Sequence, residues 1–164
     1  MEISLLRRVP LFEVLKDDDL EAIARVTITR SYDKDQVIIL AEEEGDAMFI
    51  IAQGQVKVSI VSEDGREVIL SLLGEGAVFG ELALLDGKPR SANVVATQDT
   101  ELYMVRRADF LQLIYKVPQI AVGLLAELAA RLRKTDRKIE GLALLDVTSR
   151  ISETLLQLAN EQGT

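Results

Sequence analysis

Among its 164 residues the sequence has no cysteine and no histidine. That excludes disulfides, thiolate nucleophiles, cysteine-ligated iron–sulfur clusters, histidine acid–base chemistry and the commonest zinc and haem ligands. Positive charge is in deficit as well: 19 basic side chains stand against 27 acidic ones, a net charge of −8 that repels a phosphate backbone. Direct nucleic-acid binding by this chain is therefore not expected. The N-terminal stretch "MEISLLRRVPLFEVL" lacks an uninterrupted apolar run, because Arg7, Arg8 and Glu13 break it. It reads as neither a signal peptide nor a membrane span, and the expectation is a soluble cytoplasmic protein with no membrane partner. What is present is 48% hydrophobic residues, enough for one ordinary core with little room for a second full domain.

Residues Pro10 to Arg25 read as short helical pieces, with Asp17 to Asp19 ahead of an apolar face made by Leu20, Ile23 and Ala24. From Thr27 the period changes to β-branched runs interrupted by Gly and acids, the pattern of consecutive antiparallel strands. Asp64-Gly65 suits a tight two-residue hairpin. Val56, Val58 and Ile60 alternate with Gln55, Lys57 and Ser59, which predicts a strand wet on one face. Such strands suit a roll, a sandwich or a barrel. The acidic run Glu42, Glu43, Glu44 and Asp46 does not have the spacing of an EF-hand and is read as a solvated loop. After Asp109 helical spacing takes over, with a short helix and then a long one starting near Pro118. Ala121, Leu125, Leu128, Leu132, Thr135, Ile139 and Leu142 recur in steps of four and three, a coiled-coil seam. Asp146 has the character of the N-cap of a last helix carrying Ile151, Leu155 and Leu158 on one face.

The segment "FGELALLDGKPRSANVVA" carries the chemistry. Gly80 permits close backbone approach, and "ELALLDG" forms one or two helical turns ending at Gly87, whose first N–H groups attract an anion. Pro89 stiffens the entry to Arg90, whose guanidinium grips two oxygens of a phosphate, and Ser91 adds a hydroxyl. Glu81 cannot face that phosphate but accepts hydrogen bonds from a sugar hydroxyl. A small ligand with a phosphate and a sugar satisfies both ends; an internal Glu81–Arg90 salt bridge with nothing bound is the alternative.

At these residues the sequence resembles the phosphate-binding cassette of the cyclic-nucleotide-binding domains, in particular the catabolite activator protein (cyclic-AMP receptor protein) family of bacterial transcription regulators. The resemblance extends through "EEGDAMFIIAQGQVKV", "LAARLRKTDRK" and "LALLDVTSRISETLLQLA". It implies an α+β fold: an antiparallel double-stranded β-roll, jelly-roll-like, with short N-terminal helices and a long C-terminal dimerisation helix. It divides the chain into a β-roll with flanking helices at 1–116, a dimerisation helix at 117–145 and a hinge helix at 146–164. It gives Glu81 the ribose 2′-hydroxyl, with Gly80 and Leu82 backbone nearby, Arg90 and Ser91 the cyclic phosphate, and Ala92 a backbone N–H to it. In the long helix it places Arg131 near the ligand and Thr135 on the adenine amino group. Asp136 stands where the family's cyclic-AMP receptor protein has serine, which bears on base selectivity. The regulatory ligand implied is cAMP, with cGMP as the competitor, and no metal.

The same resemblance implies a non-enzymatic sensor that forms a homodimer through the long helix. It would reach DNA only through a winged helix-turn-helix domain, and RNA polymerase only in a full-length regulator. The chain stops at Thr164, before such a domain, so a sensor fragment of a longer regulator is expected, with a naturally short sensor as the alternative. With Leu125 and Leu132 at a positions and Leu128 and Thr135 at d positions, Arg131 falls at g and Asp136 at e, which meet across a parallel dimer. Three competing readings are weaker. Haem or cluster sensors of this architecture usually need the missing His or Cys. A cupin-like enzyme would have to hold its metal with carboxylates alone. A regulatory domain of a kinase or channel shares the cassette but not the long seam running into "LDVTSR".

Overall fold

The β-branched segments between Thr27 and Arg106 pair into two four-stranded antiparallel sheets in a computed structural model of the chain, which describes residues 3–162. The strands are β1 (Thr27–Tyr32), β2 (Val37–Ile39), β3 (Ala47–Gln53), β4 (Val56–Val61), β5 (Glu67–Leu73), β6 (Val78–Phe79), β7 (Asn93–Ala96) and β8 (Thr100–Arg106). One sheet has the order β1-β8-β3-β6 and the other β2-β7-β4-β5. Successive strands alternate between the sheets except at the β4–β5 hairpin, which stays within one, and this is the expected β-roll. Helices α1 (Ile3–Leu6) and α2 (Asp17–Val26) precede it, α3 (Glu81–Asp86) interrupts it, and α4 (Arg107–Lys116) and α5 (Pro118–Gln162) follow. The chain divides into two units, Met1–Gly123 and Leu124–Thr164.

The core between the sheets is built by Ile39, Val56 and Val94 from one and Ala47, Phe49, Ile51, Phe79 and Leu102 from the other. Phe49 and Phe79 are directly opposite in register and stack with ring centroids 5.2 Å apart. Full burial of such a side chain stabilises by about 1.5–3 kcal/mol, so the stack fixes the end of β6 firmly. Gly80 follows Phe79 immediately, and the cassette therefore starts from a rigid point. In α2, Asp17, Asp18 and Asp19 occupy the first turn and Arg25 the last, complementing the helix dipole, while Leu20 and Ile23 are buried.

Three expectations are corrected. The β4–β5 hairpin does not close in two residues: Ser62 N–H donates to the Arg66 carbonyl (2.8 Å) and Gly65 N–H to that of Ser62 (2.8 Å), which leaves a three-residue loop with Gly65 at φ 84°. The alternation in β4 also fails beyond Val58. Ser59 is buried and Ile60 exposed: the Ser59 side chain bonds to the Glu67 carboxylate, which also pairs with Lys57 (2.9 Å), and next to it the β4–β5 register shifts where β5 contributes one extra residue, Leu70.

The third correction is at Asp146, which caps no new helix. Helix α5 continues through it, and its carboxylate pairs instead with Arg150 one turn on (3.2 Å). An i,i+4 ion pair offsets part of the modest helix penalty of aspartate, and no Gly or Pro stands between Gly141 and the end of α5 to stop it. Residues 163 and 164 of the expected hinge segment lie outside the described residues. Among those described, no single helix is long and apolar enough to cross a membrane.

Candidate functional site

The cassette begins where Gly80 adopts φ 79°, a left-handed conformation that lets β6 turn directly into α3, and α3 ends at Gly87 with φ 67°, as its bounding glycines predict. The Gly87 N–H closes the last turn on the Ala83 carbonyl (3.1 Å). The loop from Lys88 to Ala92 then runs back to β7, opened by a hydrogen bond from Lys88 N–H to the Asp86 carboxylate (2.9 Å). It brings Arg90 in underneath α3. Its guanidinium is buried, with Nη1 donating to the Gly80 carbonyl (2.7 Å) and Nη2 to the Ala47 carbonyl (2.6 Å). Burial pushes the Arg90 pKa below its ordinary value, and the charges of Asp46 and Glu81 oppose that shift. Glu81, the first residue of α3, is itself buried.

The main chain of Arg90 is strapped to the acidic loop that precedes β3. Its N–H donates to the Glu43 carbonyl and its own carbonyl accepts from the Glu42 N–H, both at 2.9 Å. The Asn93 side chain adds a third tie by accepting from the Ala41 N–H (2.8 Å). The acidic run is thus one wall of the site as well as a solvated loop. Gly45 lies in that wall. A β-carbon there would fall 2.5 Å from Arg90 Nε, 2.6 Å from its Cζ and 2.7 Å from the Ala83 β-carbon. One on Gly80 would fall 2.7 Å from Arg90 Nη1. The guanidinium therefore occupies a slot between two glycines, one from each side of the roll's connection.

Of the residues singled out from sequence, Gly80, Glu81, Leu82, Arg90, Ser91 and Ala92 are brought together here, with Leu82 and Ser91 exposed and Ala92 buried. Arg131, Thr135 and Asp136 belong to the second unit, along α5; there the Thr135 hydroxyl donates to the Arg131 carbonyl (3.0 Å), and Asp136 is exposed. Gly45 and Ala47 were not singled out as site residues. The one signal that points to Gly45 is a glycine inside an acidic run directly ahead of a strand. No group of three or more acidic side chains is placed to hold a metal ion among the described residues.

A buried guanidinium fork on the loop after α3, beside a buried carboxylate at the start of that helix, is chemically suited to a small anion that also carries hydroxyl donors. The family model for the cyclic nucleotide-binding domain matches residues 29–116, a span that holds both sheets but for the first two residues of β1, and the whole cassette. The cyclic AMP receptor protein of Thermus thermophilus is 36% identical over 152 residues, 93% of this chain and 70% of its own length. The cAMP-activated global transcriptional regulator of Pasteurella multocida is 40% identical, covering 78% of this chain and 62% of its own. The crystal structure of the Thermus thermophilus catabolite activator protein superposes with a TM-score of 0.75 at 37% identity, covering 82% of this chain and 63% of that one. The chain belongs to the cyclic nucleotide-binding domain family, in the branch of the cyclic AMP receptor proteins. It spans about two thirds of the length of these relatives.

Proposed function

We propose that this chain is the sensor module of a cytoplasmic transcription regulator, binding cAMP at the cassette and pairing with a second copy through α5. Binding then sets the orientation of an attached helix-turn-helix domain. The observation that carries the reading is the Arg90 guanidinium, buried and held by the carbonyls of Gly80 and Ala47 beside buried Glu81. Arg90, the Ser91 hydroxyl and the Ala92 N–H meet the cyclic phosphate, and Glu81 takes the ribose 2′-hydroxyl with the backbone of Gly80 and Leu82 alongside. The names of the relatives, a cyclic AMP receptor protein and a cAMP-activated regulator, favour cAMP over cGMP.

Calorimetric titration with both nucleotides tests this, together with thermal melting. The expected result is one site per subunit and a raised Tm, since ligand at about a hundredfold over Kd adds roughly 2.7 kcal/mol to the only state that binds it. No thermal shift at millimolar nucleotide would end the proposal.

The dimer half of the reading rests on the seam of α5, where Leu125, Leu132, Ile139 and Leu142 are each at least 60% exposed in the single chain. Such a stripe buries well against a second helix of the same sequence. Thr135 sits in that seam, and we assign it to the base, with Asp136 pairing across the dimer to Arg131 of the second copy. Thr135→Leu should keep or strengthen the dimer while weakening cAMP by about 1 kcal/mol or more, the loss of one buried hydrogen bond. Sedimentation and titration of the variant read both effects; monomers, or unchanged binding, would refute the shared seam.

A further inference from the structure

The surroundings of Arg90 hold more negative charge than a simple phosphate cradle requires. Among the described residues, Arg90 and Glu81 are the only charged side chains that the fold buries. The two carbonyls that accept from the guanidinium belong to Gly80 and Ala47, and each has an acid as its chain neighbour, Glu81 after the first and Asp46 before the second. Both acids are therefore held beside the same cation, and both raise its pKa against the effect of burial. The backbone bonds of Arg90 to Glu42 and Glu43 lay the rest of the acidic loop, with Glu44, along the same wall. Three other cations are near, and all are exposed: Lys88, Arg106, which stands opposite Ala47 in the β3–β8 pairing, and Arg107. Arg107 donates from Nε to the Leu84 carbonyl (3.2 Å) and from its backbone N–H to the Asp46 carbonyl (2.6 Å).

We infer that this site sorts phosphates by charge, admitting a phosphodiester monoanion and turning away a phosphomonoester dianion, with Asp46 the residue that sets the margin. The inference rests on the cyclic-nucleotide reading above. One buried guanidinium balances one phosphate charge, and a cyclic phosphodiester carries one. A monoester carries nearly two at neutral pH, because its second ionisation lies near 6. The second charge would enter a partly desolvated site with no second buried cation among the described residues and with carboxylates on two sides, where an unpaired charge is heavily penalised. Selection by charge differs from selection by ring shape in one respect. An acyclic diester monoanion, adenosine 5′-methylphosphate, has the charge of the cyclic nucleotide and the open chain of AMP.

The test is competition of cAMP, AMP and adenosine 5′-methylphosphate against a fluorescent cAMP analogue on the full chain, its Asp46→Asn variant and its Asp46→Glu variant. The methyl ester is expected to bind about tenfold or more tighter than AMP on the parent. Asp46→Asn should narrow that gap by about three- to tenfold, because a dianion gains about twice as much as a monoanion from the lost repulsion, and Asp46→Glu should keep it. On the parent, raising salt from about 50 to about 500 mM should also narrow the gap, since the loop carboxylates are solvent-exposed and screened. A methyl ester no better than AMP would overturn the inference, as would a gap unmoved by salt. Equal changes for AMP and the methyl ester in Asp46→Asn would assign Asp46 a purely structural part and remove it from the selection. Should Asp46→Asn not fold, the parent's methyl-ester and salt series decide alone. Failure of the parent to bind cAMP would sink the cyclic-nucleotide reading itself, a result distinct from all of these.

Discussion

Arg90→Ala is expected to abolish cyclic-nucleotide binding, with a loss on the order of 3 kcal/mol or more by titration, against about 1 kcal/mol for Ser91→Ala. The difference follows from what each side chain supplies. Arg90 brings a charge-assisted fork that its surroundings already hold in place, so little ordering remains to be done when a phosphate arrives. Ser91 is exposed and offers one neutral hydroxyl. Removing Arg90 also leaves the Gly80 and Ala47 carbonyls without the donors they have now, so some loss of Tm accompanies the loss of binding. The two effects separate in practice: a variant that melts a few degrees lower yet remains folded at the temperature of titration gives a clean binding measurement. If Arg90→Ala bound cAMP as tightly as the parent, Arg90 and Glu81 would be a structural pair and the proposed site would be wrong.

Gly45→Ala should be nearly as damaging although it adds a single methyl group. Gly45 does not have a positive φ, so its backbone conformation is open to alanine and the obstacle is space alone. The new β-carbon would overlap the Arg90 guanidinium on one side and the Ala83 β-carbon on the other. The arginine cannot swing away cheaply, because its two terminal nitrogens are tied to carbonyls and its main chain is strapped to Glu42 and Glu43. Ala83 is buried on α3 and is equally confined. Overpacking of this kind costs about 1–3 kcal/mol, which is expected to appear as a lowered Tm together with a loss of nucleotide affinity as the fork is displaced. Melting and titration of Gly45→Ala beside Gly65→Ala would check it. Gly65 has nothing within 4 Å of its would-be β-carbon but does have a positive φ, so its variant shows backbone strain without touching the site. Equal nucleotide affinity in the two variants would show that the slot around Arg90 is not needed.

The cassette was readable from sequence because its determinants are local. Gly80 and Gly87 bound α3 through their own left-handed conformations, and Arg90 follows Pro89 at a fixed short distance. The neighbouring wall was not readable. Arg90 meets Ala47 from 43 positions away, and which loop lies against a guanidinium depends on how the connections to β3 and β7 are brought together by the sheets. The acidic run therefore read as a solvated loop, which its exposed side chains are, while its backbone was already committed to Arg90.

By itself the sequence determined the succession of elements: strand period between Thr27 and Arg106, helical period after it, a break at Pro118 and an apolar seam beyond. These follow from side-chain periodicity and from backbone preferences that act over a few residues. The tertiary structure alone decided that Gly45 leaves room for Arg90 and that Ser59 is buried while Ile60 is exposed. It also showed that α5 passes through Asp146 without stopping. In the first two the outcome is set by register and close packing between segments distant in the chain. In the third the deciding contact is local: the sequence offers Asp146 both a capping role and an i,i+4 partner in Arg150, and the structure shows which of the two it takes.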